Sequence, residues 1–229
     1  MVAAIEAYGV GHTGVLFSLA AICLLMIGRL RIDAHCARSK CALGLLSFCC
    51  FAAYPINLAA WASTGASPTL EAMIPLHLCD VASILCGLAL VTRRDLLCEL
   101  SYFWGLAGTF QGLITPNLPY DFPHPVFFSF FLQHGVVVIT ALILPLGLGW
   151  RPRAGAGRRA FCWLLLYACL AFLTNSILGT NFGFLMRKPT EPSLLDLMPG
   201  WPWYVLFMIL VGAFIFLLLS LPFKKSAQK

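Results

Sequence analysis

The chain has 229 residues, of which 60% are hydrophobic and 10% charged, with a formal net charge of +6 and a mean hydropathy of +0.88. An ordinary soluble domain is about 25% charged, so this composition excludes a water-soluble globular fold, and its apolar content excludes intrinsic disorder. The class that remains is a polytopic membrane protein.

Windows of about 20 apolar residues, the length that crosses ~30 Å of hydrocarbon, fall at 11–28, 41–62, 71–92, 96–115, 126–149, 160–180 and 201–221. The apolar runs are continuous and not alternating, which predicts helices rather than barrel strands. The expected fold is all-α: seven transmembrane helices in one domain over 1–229, with connections too short for a soluble domain. Before the first span stand Glu6 and no Lys or Arg, so it reads as a retained helix and not a signal peptide.

Basic residues fix the expected orientation. Arg29, Arg31, Arg38 and Lys40 follow span 1; Arg93 and Arg94 follow span 3; Arg151, Arg153, Arg158 and Arg159 follow span 5; Lys224, Lys225 and Lys229 follow span 7. The opposite side has only Arg187 and Lys188, which predicts an outer N-terminus and a cytoplasmic C-terminus. The positive charge is thus a topology signal. Dispersed over four loops, it gives no basis for nucleic-acid binding.

The ten cysteines leave the outer loops 63–70, 116–125 and 181–200 empty, so no disulfide framework is expected. Their spacing fits no zinc or haem pattern, and no cofactor is implied. Cys36, Cys41 and Cys98 lie near the cytoplasmic boundary, where S-acylation is conceivable.

Strongly hydrogen-bonding side chains are costly in hydrocarbon and tend to face a bundle interior or a wet cavity. Counted inward from the outer boundaries, Cys79 and His134 each lie eight residues deep, ~12 Å at the helical rise. Asn57, Gln111 and Asn175 stand ~6–8 Å before the outer ends of their spans. Together they predict a polar layer in the outer third, around a cavity opening outward. In Pro75-Leu76-His77-Leu78-Cys79-Asp80, Pro75 should bend the helix, and the i, i+3 spacing makes an imidazole–carboxylate pair available to His77 and Asp80. Cys79 then faces away from that pair, toward Ser83 and Cys86, and its partner must come from another helix. His134, flanked by Gln133 and Gly135, is the matching candidate.

The chemistry such groups offer is a cysteine nucleophile activated by a histidine base, attacking an ester carbonyl. His77, Asp80, Gln111, Gln133, Asn57 and Asn175 are the supporting or oxyanion candidates. Each also has a structural reading, as core packing, mutual satisfaction or interhelical hydrogen bonding. A metal held by His77, Asp80 and His134 lacks the usual ligand spacing. Of the outer loops, the proline-rich 115–125 reads as a stiff connector or a cavity rim. In 181–200, Arg187 and Lys188 either hold a lipid phosphate or form a solvated group with Glu191 and Asp196. Trp201, Trp203 and Tyr204 begin the last span as interfacial anchors.

PLHLCD at 75–80, YFWGLAGTFQGLITP at 102–116, FPHPVFFSFFLQHG at 122–135, NSILGTNFGFLMRKP at 175–189 and SLLDLMPGWPWY at 193–204 resemble the YwaF-type integral membrane proteins. These are similar in turn to the eukaryotic transmembrane protein 164, which resembles a phospholipid acyltransferase using a cysteine and a histidine. The likeness covers about 75–204 and implies Cys79 as nucleophile and His134 as base. The chain differs from the family's habit at Asn117, where Asp often follows Thr-Pro, and at Phe182, where Tyr often follows Thr-Asn.

The resulting expectation is phospholipid or lysophospholipid acyl transfer through a thioester in the bacterial plasma membrane, with membrane lipids as partners and another lipid as acyl donor. Hydrolysis is the same chemistry with water as acceptor. The rivals are a non-catalytic lipid-binding or transport protein and a structural scaffold. Against transport stand inner halves without polar groups at 84–92, 138–149 and 160–170 and the lack of a repeat.

Overall fold

The computed structural model describes residues 5–65, 67, 69–190 and 193–226, with the side chains of 224–226 excepted. Lys224, Lys225, Lys229 and Glu191, which enter the charge expectations above, therefore lie outside what is described. Among the described residues all regular structure is helical: α1 (Val10–Ile32), α2 (Ala37–Ala62), α3 (Leu70–Met73), α4 (Leu78–Thr92), α5 (Asp95–Trp104), a π-helical turn (Gly105–Thr109), α6 (Phe110–Ile114), α7 (Pro125–Leu146), α8 (Ala156–Leu178) and α9 (Trp203–Ser220). Six segments are long and apolar enough to cross a membrane, and the chain is a polytopic membrane protein.

The span expected at 96–115 is not among the six. It is not one α-helix: α5, the π turn and α6 follow one another without a non-helical residue. The span expected at 71–92 is divided as well. Pro75 does more than bend it, because Ile74–His77 leave the helix altogether. The other helices match their expected spans with ends moved by a few residues. Several ends follow local chemistry. Arg29 and Arg31 sit in the last turn of α1, where cations favour the helix dipole. Pro125 opens α7, and the His124 ring accepts the Val126 N–H. Gly155 and Gly179 flank α8 with φ of 74° and 69°, a left-handed conformation that glycine adopts without strain.

α7 is the axis of the fold. It packs against α1, α2, α4, α5, α6 and the π turn, and 78% of its apolar window is buried, against 11% for α1 and α9. One apolar cluster joins α1, α2, α4 and α7 through residues such as Cys50, Ala82, Cys86, Val137 and Ile143. Another joins α5, α8 and α9 through Phe103, Trp104, Ala160 and Phe216. Phe17, Leu24, Phe214 and Leu217 are mostly exposed, as lipid-facing side chains must be in a bundle whose solvent is hydrocarbon.

Candidate functional site

The break between α3 and α4 builds the site. A residue before proline is pushed out of the α region, and Ile74 accordingly has φ −112° and ψ 118°. The Leu76 N–H donates back to the Ile74 carbonyl at 2.8 Å, closing a tight turn. Two tyrosines from neighbouring helices stabilise the exposed backbone: Tyr167 Oη donates to the Leu76 carbonyl at 2.9 Å and Tyr54 Oη to the Ala72 carbonyl at 3.1 Å. The helix restarts with His77 as its N-cap, and Asp80 Oδ2 accepts the His77 backbone N–H at 3.1 Å.

This geometry corrects the expected pairing of His77 with Asp80. The i, i+3 argument needs a helix through both residues, and His77 is not helical. Its ring reaches the other way, with Nε2 3.2 Å from Glu71 Oε1. The same carboxylate accepts the Asn181 N–H on Oε2 at 3.1 Å, while Phe182 and Phe184 lie against the His77 ring. The 180–188 segment is thereby fastened over the break. Its own support is Asn175, whose Oδ1 accepts from Phe182 N–H and Thr180 Oγ1 and whose Nδ2 donates to the Phe182 carbonyl.

Cys79 is the second residue of α4, in the first turn, where backbone N–H groups have no carbonyl one turn back. The positive end of a helix favours a thiolate or a developing oxyanion. Its side chain is half-buried. His134, 8% exposed, stacks on Phe130 with ring centroids 4.1 Å apart, and its Nδ1 lies 2.8 Å from the Phe130 carbonyl oxygen. A carbonyl only accepts, so the neutral ring holds its proton on Nδ1 and carries a lone pair on Nε2. That nitrogen faces Gly112, where a Cβ would collide with ring atoms Cδ2 and Nε2.

Four contacts set the levels of these helices. Asp80 is hydrogen-bonded by Gln133 Nε2, Cys86 Sγ meets the Val137 carbonyl at 3.9 Å, Gly108 stands against Leu78, and Gly112 against His134. The contacts bring the neighbours of Cys79, Leu78 and Asp80, against the π turn and α7, and no hydrogen bond joins the Cys79 thiol and the His134 ring among the described residues. The remaining candidates are dispersed. Gln133 is engaged by Asp80, Asn57 Oδ1 accepts from Ser129 at 2.9 Å, Asn175 is a loop clasp, and Gln111 is exposed. Lys188 Nζ donates to the Met198 carbonyl at 2.7 Å, which leaves exposed Arg187 as the available outer cation.

Sequence reasoning misses Glu71 and Tyr167. Glu71 lies six residues before His77, across the break, and Tyr167 lies on a different helix, so no spacing rule ties either to the site. It also misses Glu99, which is fully buried at the other end of the bundle. There Arg159 Nη2 and Nε donate to Glu99 at 2.7 and 3.1 Å, and Arg153 Nε at 2.9 Å. The proline-rich loop is a connector held by the N-terminal segment: Ile5 N–H donates to the Leu118 carbonyl, Tyr8 Oη to Ile114 and His12 Nε2 to Leu113. Two open cavities, of about 610 and 330 Å³, lie between 30–35 and 145–149 and beside Tyr102, Trp150 and Phe223. Neither is lined by Cys79 or His134, and neither corresponds to the expected outward cavity.

A model of the TMEM164 family matches residues 6–220. An uncharacterized protein of Treponema pallidum (strain Nichols) is 29% identical over 153 residues, 67% of this chain and 63% of that protein, so the match spans less than two thirds of the relative's length. No solved structure matches.

Proposed function

The chain belongs to the TMEM164 family, and from that premise we propose that it is a membrane phospholipid or lysophospholipid acyltransferase working through a Cys79 thioester. The observation that carries the reading is the hydrogen bond between Asp80 and Gln133, the sequence neighbours of Cys79, in the first turn of a helix, and of His134, whose Nε2 lone pair is directed away from its backbone partner. In the first half-reaction the thiol proton passes to Nε2 and the sulfur attacks the ester carbonyl carbon. The carbon–oxygen bond to glycerol breaks, and the leaving oxygen takes the proton from His134. In the second, a lysophospholipid hydroxyl gives its proton to His134 and attacks the thioester, and the sulfur leaves as the recovered thiol.

Seven crossings, with the α5–π–α6 segment as the fourth and the N-terminus outside, belong to the same proposal, supported by the bias of Lys and Arg toward one side. In that orientation the site lies in the outer leaflet, so the acyl donor is a membrane lipid and the membrane is the bacterial plasma membrane. Arg187 is the residue for the lipid phosphate.

The test uses full-length protein in liposomes containing phosphatidylcholine with an isotope-labelled sn-2 chain and unlabelled lysophospholipid. Label should move to the acceptor with wild type, not at all with Cys79→Ser, and ~10²–10⁴-fold more slowly with His134→Ala. Lipid binding by all three without label transfer would replace this reading with a non-catalytic lipid-binding or transport one.

A further inference from the structure

Thr109 is 4% exposed, and its Oγ1 is a buried side-chain oxygen without a hydrogen-bond partner among the described residues. Four less buried threonines behave differently, while fully buried Thr140 meets the Cys50 sulfur at 3.7 Å. Thr13, Thr92, Thr115 and Thr174 each donate to the carbonyl four residues back, at 2.9, 2.7, 3.2 and 2.9 Å. For Thr109 that carbonyl belongs to Gly105, and the π turn gives it to the Phe110 N–H. Single π turns inside α-helices recur at functional sites.

Glycines stand on both sides of Thr109. A Cβ at Gly108 would run into the Leu78 side chain, next to Cys79, and one at Gly112 into the His134 ring. Thr109 follows the first directly and precedes the second by less than a turn, so its buried hydroxyl lies on the segment that packs against both the start of α4 and the His134 ring. Of the amides first expected to serve an oxyanion, Gln133 and Asn175 donate to Asp80 and to the Phe182 carbonyl and Gln111 is at the surface, while Asn57 is held through its Oδ1 by Ser129 on the α2–α7 side.

We propose that Thr109 is a catalytic residue of this site, its hydroxyl donating a hydrogen bond to the acyl carbonyl oxygen as that atom takes up negative charge. The inference rests on the acyl-transfer reading above. When sulfur attacks, the carbonyl π electrons move onto oxygen; when the glycerol oxygen leaves, they return, and Thr109 keeps its proton throughout. A donor placed before the reaction stabilises that charge with no reorganisation.

The test compares purified wild type with Thr109→Val, which keeps the shape and removes the hydroxyl, and Thr109→Ser, which keeps the hydroxyl. Three readouts are taken: single-turnover acylation of Cys79 from phosphatidylcholine by mass spectrometry, alkylation of Cys79 by iodoacetamide by peptide mass, and thermal unfolding. Alkylation develops no carbonyl oxyanion. Valine should slow acylation ~10²–10³-fold, the usual effect of removing one oxyanion donor, and leave alkylation and unfolding unchanged, while serine restores most of the rate. Should valine not fit between Leu78 and His134, Thr109→Ala gives the same readings. Acylation by Thr109→Val at the wild-type rate, or a parallel fall in alkylation, overturns the proposal while the acyl-transfer reading stands. A wild type that takes up no acyl group overturns both.

Discussion

The two ends of the bundle handle polar groups in opposite ways. At the end expected to face the cytoplasm, Glu99 is fully buried between Arg153 and Arg159, with four hydrogen bonds filling its carboxylate. Glu99 also holds the Arg153 guanidinium above its ordinary pKa. In the outer layer the groups are half-engaged. His134 uses Nδ1 on the Phe130 carbonyl and leaves Nε2 bare, Thr109 has no partner among the described residues, and Cys79 sits in a helix's first turn. The same contrast runs within the outer layer, where Asn175 and Asn181 are saturated by their own loop. Ser101 Oγ and Trp150 Nε1, toward the Glu99 end, are buried without a partner among the described residues as well, so an open valence points to chemistry only where a nucleophile and a base stand in neighbouring elements.

The contrast breaks first if Glu99 matters to activity rather than to folding. Glu99→Gln should cost about 3 kcal/mol of stability, the lower end for breaking a buried pair, because both arginines are partly exposed. Thermal unfolding in detergent checks this, with label transfer unchanged at temperatures where the variant is folded. Gly112→Ala sharpens the contrast at the other end. Its methyl must displace the His134 ring, and a displacement near 1 Å at a reacting group costs ~10²-fold. Transfer should fall by that order while unfolding shifts far less than with Glu99→Gln.

The smallest effect concerns Cys36, a thiol outside both the outer layer and the spans. Ser39, through Oγ at 3.2 Å and its N–H at 3.4 Å, and Arg29, with Nη2 at 2.8 Å, surround its sulfur, and together they lower its pKa. Its thiolate therefore persists below the pH at which an ordinary cysteine takes up its proton. Iodoacetamide labelling of Cys36 should have its midpoint below that value, and Arg29→Ala should move it modestly upward. A midpoint unaffected by Arg29→Ala would remove the guanidinium from the account of this thiol.

Most of the bundle is legible in the sequence because hydropathy reports directly on contact with lipid. The depth expected for Cys79 counts helical rise from residue 71, and the break at Ile74–His77 removes the continuous helix on which that count depends. Rotation about the helix axis is not readable in that way, and Gln111 has the right depth but faces outward. The pairing of His77 with Glu71 is hidden because Pro75 ends the helix on which the expected His77–Asp80 contact depends. Phe182 supplies both backbone partners of Asn175 across a loop, and no spacing rule connects them. The π turn leaves the apolar pattern of 96–115 intact, so Gly105, Gly108 and Gly112 read only as small residues until their neighbours are known.

The most direct measurement is intact-mass and peptide-mass analysis of the purified protein after incubation with phosphatidylcholine of a single chain composition. A single added acyl chain, localised to Cys79, released by hydroxylamine and missing from Cys79→Ser, is the predicted result. An adduct on another residue, or none on a folded wild type that binds the lipid, would contradict the account.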